Sequence, residues 1–224
     1  MTFDQIDCLE HVFYNQSYIL RMNILDLLQN QLSDNVLESL TQQIGGQDKK
    51  QTAAAASGIL STLTAALSKN AASPEGRSAL ASALDNDHDG SILDDVMGLL
   101  SGNKQAANPR AANGAGILRH VLGQKQEDTS TLISKMSGLD KQSTMSLMMK
   151  LAPMVMGILG KQKREQNLDE GGLSALLSNT VKSTAQKREE MSLIERFLDK
   201  DGDGSVMDDL VRMGGGMLGG LFKK

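Results

Sequence analysis

From Met22 onward, apolar residues recur at helical spacing along most of the chain, and long β-branched runs are missing. The pattern predicts helices over 23–31, 35–44, 49–68, 75–84 and 92–100. Further helices are expected over 116–122, 129–136, 141–159, 172–184, 187–198 and 206–213. Ser73-Pro74 marks a helix start, with Ser at the cap and Pro at the first helical position, where its missing N–H costs nothing. Residues 102–115, rich in Gly, Asn and Ala and holding Pro109, read as a linker. The expected fold class is all-α, a multi-helix bundle.

The second part of the chain echoes the first. Gly46, Asp48, Lys49 and Thr52 return as Gly138, Asp140, Lys141 and Thr144, and Ile59, Leu63, Leu67 and Lys69 return as Leu151, Val155, Leu159 and Lys161. These pairs lie 92 residues apart, as from Lys49 to Lys141. The expected organisation is therefore two related halves, 22–101 and 116–213, followed by a Gly-rich mobile tail, 214–224. Residues 1–21 stand apart, with four of the six aromatics and the one cysteine, Cys8. They are either a capping helix or an N-terminal extension from a start placed too early, and the change of composition at Met22 favours a true start there.

Each half carries an acidic loop. Asp85-Asn86-Asp87-His88-Asp89-Gly90-Ser91-Ile92-Leu93-Asp94-Asp95 matches Asp199-Lys200-Asp201-Gly202-Asp203-Gly204-Ser205-Val206-Met207-Asp208-Asp209. These loops lie 114 residues apart, from Asp85 to Asp199, so the second half holds an insertion of about 22 residues, expected within 162–183. Alternating aspartates repel one another unless a cation sits among them, and Gly at the sixth place permits the sharp turn of an EF-hand loop. The candidate ion is Ca2+, held by Asp85, Asp87 and Asp89 with Asp94 or Asp95, and by Asp199, Asp201 and Asp203 with Asp208 or Asp209. Oxygen-only ligands argue against zinc or copper. The twelfth place is Val96 or Leu210 rather than Glu, so the loops are shortened relatives of the EF-hand. A metal-free alternative exists. Ser91-Ile-Leu-Asp94 and Ser205-Val-Met-Asp208 fit a capping box, but that leaves three alternating aspartates, twice, unexplained.

Aromatic residues make up only 3% of the chain, so the core must be Leu, Ile, Met, Val and Ala. A net charge of −4 gives no general attraction to nucleic acid. One cysteine excludes an internal disulfide framework. The acidic N-terminus is no secretory signal, and the longest apolar stretch, 147–160, is short for a membrane span and contains Pro153. A cytoplasmic location follows as the expectation. His120 lies in an apolar helix, Cys8 lacks activating neighbours, and 161–164 reads as a solvated basic helix end. No constellation favours an enzyme. Eleven of the thirteen methionines fall from Met97 onward, which suggests a soft surface for a protein partner or a membrane face, although an aromatic-poor core also explains them.

The words Met22-Asn-Ile-Leu-Asp-Leu-Leu, Gln42-Gln-Ile-Gly-Gly46, Ser73-Pro-Glu-Gly76, Asp87-His-Asp-Gly-Ser-Ile-Leu-Asp-Asp95, Gly116-Ile-Leu-Arg-His-Val-Leu-Gly123 and Leu151-Ala-Pro-Met-Val-Met-Gly157 occur in this order. Together, over roughly residues 22–160, they resemble the bacterial "domain of unknown function 937" family. The resemblance implies a mostly helical bacterial protein beginning near Met22, and it supplies no catalytic residues. The leading expectation is a non-enzymatic, calcium-binding structural or interaction protein. The alternative is a metal-independent helical scaffold that binds a partner through its Met- and Gly-rich second half.

Overall fold

Two long helices form the centre of the molecule, and the rest is arranged on them. The computed structural model describes residues 24–45, 48–93 and 109–185. Among these, every regular element is a helix. In chain order they are α1 (Ile24–Gln31), α2 (Asp34–Gln43), α3 (Lys49–Asn70), α4 (Pro74–Asn86), a 3-10 turn (Ser91–Leu93), α5 (Gly114–Leu122), a second 3-10 turn (Gly123–Lys125), α6 (Gln126–Ser137), α7 (Lys141–Glu165) and α8 (Glu170–Ala185). Helix α3 packs against α1, α2, α5, α6, α7 and α8; α7 packs against α1, α3, α4, α5, α6 and the first 3-10 turn.

The two central helices start alike. Asp48 accepts the Lys50 N–H at 2.7 Å, and the Thr52 hydroxyl donates to the Asp48 carbonyl at 3.2 Å. Asp140 accepts the Ser143 N–H at 2.9 Å, and the Thr144 hydroxyl donates to the Asp140 carbonyl at 2.8 Å. Each aspartate satisfies an orphan donor of the first turn, and each threonine is fully buried with its hydroxyl already bonded. Ser73 caps α4 through the Gly76 N–H at 3.1 Å, as its Ser-Pro start requires.

The core holds no Phe, Tyr or Trp among the described residues. Ala55, Ala56, Ala65 and Ala66 let neighbours approach α3 closely, while Leu147, Met148, Leu151, Met154 and Leu159 fill the space around α7. Each of these large side chains stabilises the fold by about 1.5–3 kcal/mol on burial. Helix α7 is long and apolar enough to cross a membrane, contrary to expectation, but 78% of its apolar window is buried in protein, as a central core helix requires.

The expected helices extend differently at their ends. Helix α7 runs on to Glu165, and α5 begins at Gly114, inside the expected linker. Pro153 lies within α7 and cannot donate to the Met149 carbonyl four residues earlier. Gly114 packs against that carbonyl so closely that an added Cβ would overlap it. The helices expected at 187–198 and 206–213, most of 92–100, the N-terminal extension 1–21 with its start at Met22, the first half of the linker (102–108) and the tail 214–224 lie outside the described residues.

Candidate functional site

The first acidic loop joins α4 to the surface of α7. Helix α4 ends when the Asp87 N–H bonds the Ala83 carbonyl, and the chain then runs across α7. Gly90 has φ +91°, a left-handed conformation that glycine adopts without steric cost. A Cβ on Gly90 would stand 2.9 Å from the Lys161 Cβ. The α7 side of the contact is equally bare. A Cβ on Gly160 would overlap the His88 carbonyl oxygen, and one on Gly157 would press on Ile92 at 2.5 Å. Gly157 and Gly160, three residues apart on one helical face, form the seat on which the loop lies.

Charge holds it there. Lys163 Nζ lies 2.6 Å from an Asp85 carboxylate oxygen, and the lysine side chain is only 15% exposed. Arg164 approaches Asp89 at 3.5 Å, and Arg110 approaches Asp87 at 4.0 Å. Asp89 also accepts the Ser91 N–H at 2.9 Å, which closes the turn. Hydrogen bonds from the Ser91 hydroxyl and N–H, helped by Arg164, hold the Asp89 carboxyl below the usual carboxylate range. His88 is 5% exposed, and its Nδ1 has no hydrogen-bond partner. Burial lowers its pKa against the pull of Asp87 and Asp89, so the ring is neutral near pH 7.

Asp85 sits in the last turn of α4 and Asp87 and Asp89 in the loop that follows, and each faces a different basic side chain of the protein. Among the described residues, no group of three or more acidic, His or Cys side chains is placed to hold a metal ion. Asp94 and Asp95, and all of Asp199, Asp201, Asp203, Asp208 and Asp209, lie outside the described residues. The donor at the start of the 3-10 turn is the Ser91 N–H and its acceptor is Asp89, so Asp89 plays the capping part in this stretch.

The sequence pattern of a family described as a bacterial protein of unknown function (DUF937) matches residues 26–162, which contain the loop and its seat. The chain belongs to this family. No curated protein and no solved structure matches it.

Within this DUF937 protein, the residues that the sequence did not single out are those on α7. Lys163 was expected in a solvated helix end, yet it is largely covered and paired with a carboxylate 78 positions earlier. Gly157 and Gly160 carried one available signal: two glycines three apart in an otherwise strong helix cost stability unless something comes close to the backbone.

Proposed function

We propose that this protein is a non-enzymatic, cytoplasmic helical scaffold built from two related halves, with the first acidic loop serving as a latch between α4 and α7. The observation that carries this reading is the Asp85–Lys163 pair at 2.6 Å over the Gly157–Gly160 seat. The protein's own lysine and arginines offset the carboxylates, so the loop's charge is compensated without metal. The matching caps of α3 and α7 support the related halves. In this reading the latch fixes the angle between α4 and α7, so that the helices hold one arrangement toward a partner.

A second reading is calcium binding. Gly90 at φ +91° makes the turn that an EF-hand-like loop needs at its sixth position, and the D-x-D-x-D-G word occurs twice. In that reading Ca2+ displaces Lys163 and Arg164 and draws Asp85, Asp87 and Asp89 together with Asp94 or Asp95. Calcium titration followed by thermal melting separates the two. An ion at a hundredfold excess over its Kd stabilises the fold by about 2.7 kcal/mol. A flat melting temperature at millimolar calcium supports the latch; a clear rise, reversed by chelator, overturns it in favour of calcium.

A further inference from the structure

Helix α5 opens the second half of the chain, and its start is pinned to the backbone of α7. Asn113 caps it, accepting the Gly116 N–H on Oδ1 at 2.9 Å. Gly114 follows, and Asn113-Gly114 is the one Asn-Gly pair in the chain. Gly114 is buried, and a Cβ there would overlap the Met149 carbonyl oxygen. Only glycine lets the two backbones approach so closely.

The same glycine exposes the preceding side chain to attack by the backbone. In an Asn-Gly peptide no Cβ shields the second nitrogen from the neighbouring carboxamide. The Gly114 nitrogen forms a bond to Asn113 Cγ, its proton passes to the departing Nδ2, and ammonia leaves. The cyclic imide then takes up one water and opens at either carbonyl, giving aspartate or isoaspartate. Solvent water is the one co-reactant.

The fold opposes the first step. Asn113 has ψ 75°, which sets the Gly114 nitrogen on the far side of the Cα–C bond from the Asn113 side chain. The Gly114 N–H donates to the Ala112 carbonyl at 2.9 Å, and the carboxamide is engaged in the cap. Bringing the nitrogen and Cγ together requires a turn about ψ, and that turn requires Gly114 to leave Met149. The Asn113 side chain is exposed, so water is at hand once it does.

We propose that Asn113 is a latent deamidation site, silent while the start of α5 is docked on α7 and modified when α5 undocks. The site lies outside the latch and does not depend on what compensates the acidic loop. Its two products differ in consequence. Aspartate still caps, and its charge suits the helix N-terminus. Isoaspartate lengthens the backbone by one carbon, so Gly114 cannot regain its place against Met149. Helix α5 is one wall of an open groove of about 820 Å³ whose other wall is α4, kept wide by Gly76, Ala79 and Gly116. A transient opening of α5 is thereby recorded in the chain as a lasting shift of that wall.

Peptide mapping by mass spectrometry, on the full chain held at neutral pH, tests the proposal. A synthetic peptide of residues 109–118 gives the unprotected rate. Asn113 in the native chain should be modified at least about tenfold more slowly than in the peptide. Ile117→Val, on the buried face of α5, should speed modification about fivefold, the weight of one buried methylene. Ile24→Val, the same change in the core face of α1, should leave the rate at the parent value. Gly116→Ala should raise it, because the new Cβ would stand 2.8 Å from Asn113 Nδ2 and turn the carboxamide out of its cap. The proposal is overturned if the native chain matches the peptide, or if Ile117→Val and Gly116→Ala both leave the rate unchanged. It is equally overturned if Ile24→Val speeds modification as much as Ile117→Val, since global unfolding rather than undocking of α5 would then be the gate.

Discussion

Helices α3 and α7 begin with the same chemistry and end with opposite tasks. Both open on an aspartate cap followed four residues later by a buried threonine bonded to the cap carbonyl. Past the middle they diverge. Where α7 has Pro153, Gly157 and Gly160, α3 has Ser61, Ala65 and Ser68 at the positions 92 residues earlier. Helix α7 is pared to backbone where the acidic loop crosses it, whereas α3 keeps side chains there and lines the open groove with Leu67, Lys69 and Asn70. Two helices with alike starts thus differ in use through two or three residues on one face, which make α7 a seat.

The largest expected effect tests the seat. Gly160→Leu drives a side chain into the His88 carbonyl and should destabilise the fold by about 3 kcal/mol in urea unfolding. Ser68→Leu, its counterpart on α3, should stay within about 0.5 kcal/mol of the parent. Equal costs would mean that the loop does not rest on α7 and would erase the contrast.

The shared starts come next. Asp48→Ala and Asp140→Ala should each cost about 1 kcal/mol, measured by the same unfolding curves. A loss confined to one of them would show that the two starts only look alike. Smaller still is the charge on the latch. Lys163→Met should cost less than about 1 kcal/mol, since Asp85 remains half exposed, and the loss should shrink in high salt. Ala79→Leu at the groove should leave stability unchanged.

Protons give the finest test. Asp89 has a folded pKa below its ordinary value of 3.8, so its contribution is present above that pH and is lost as pH falls through the folded value. His88 is also lowered, from 6.5, but for a base the sign differs. Below pH 6.5 the unfolded ring takes a proton that the folded ring refuses, so stability declines on acidification and is flat above. His88→Asn should remove the slope just below pH 6.5 and leave the acid limb set by Asp89. A parent protein with no slope in that window would mean that His88 is not desolvated.

Much of the helical layout was legible because it rests on local rules. Apolar spacing located α1, α2, α3 and α7, and Ser73-Pro74 announced α4 to the residue. The exact ends were less so: Gly114 starts α5 amid residues that look like linker, because Met149 and Pro153, far along the chain, shape its surroundings. The acidic word was readable as charge that needs compensation, but not the compensating group. Asp85 meets Lys163 only once α4 and α7 are packed, and no spacing rule spans that separation. The groove was invisible for the same reason, since its emptiness belongs to Gly76, Ala79 and Gly116 jointly and to none alone.

The central position of α7 also bears on how the chain reaches its fold as it leaves the ribosome. Ser143 donates its hydroxyl to the Ile44 carbonyl, Lys150 reaches Gln43, and Ser174 reaches the Ala71 carbonyl, all across about a hundred residues. Helices α1 to α4 therefore emerge with their apolar faces uncovered and must wait for α7 before the core can close. Synthesis runs at about 5–20 residues per second, so that wait lasts several seconds. During it the apolar faces of the nascent chain stay exposed, and a translational pause placed before residue 141 would lengthen the exposure.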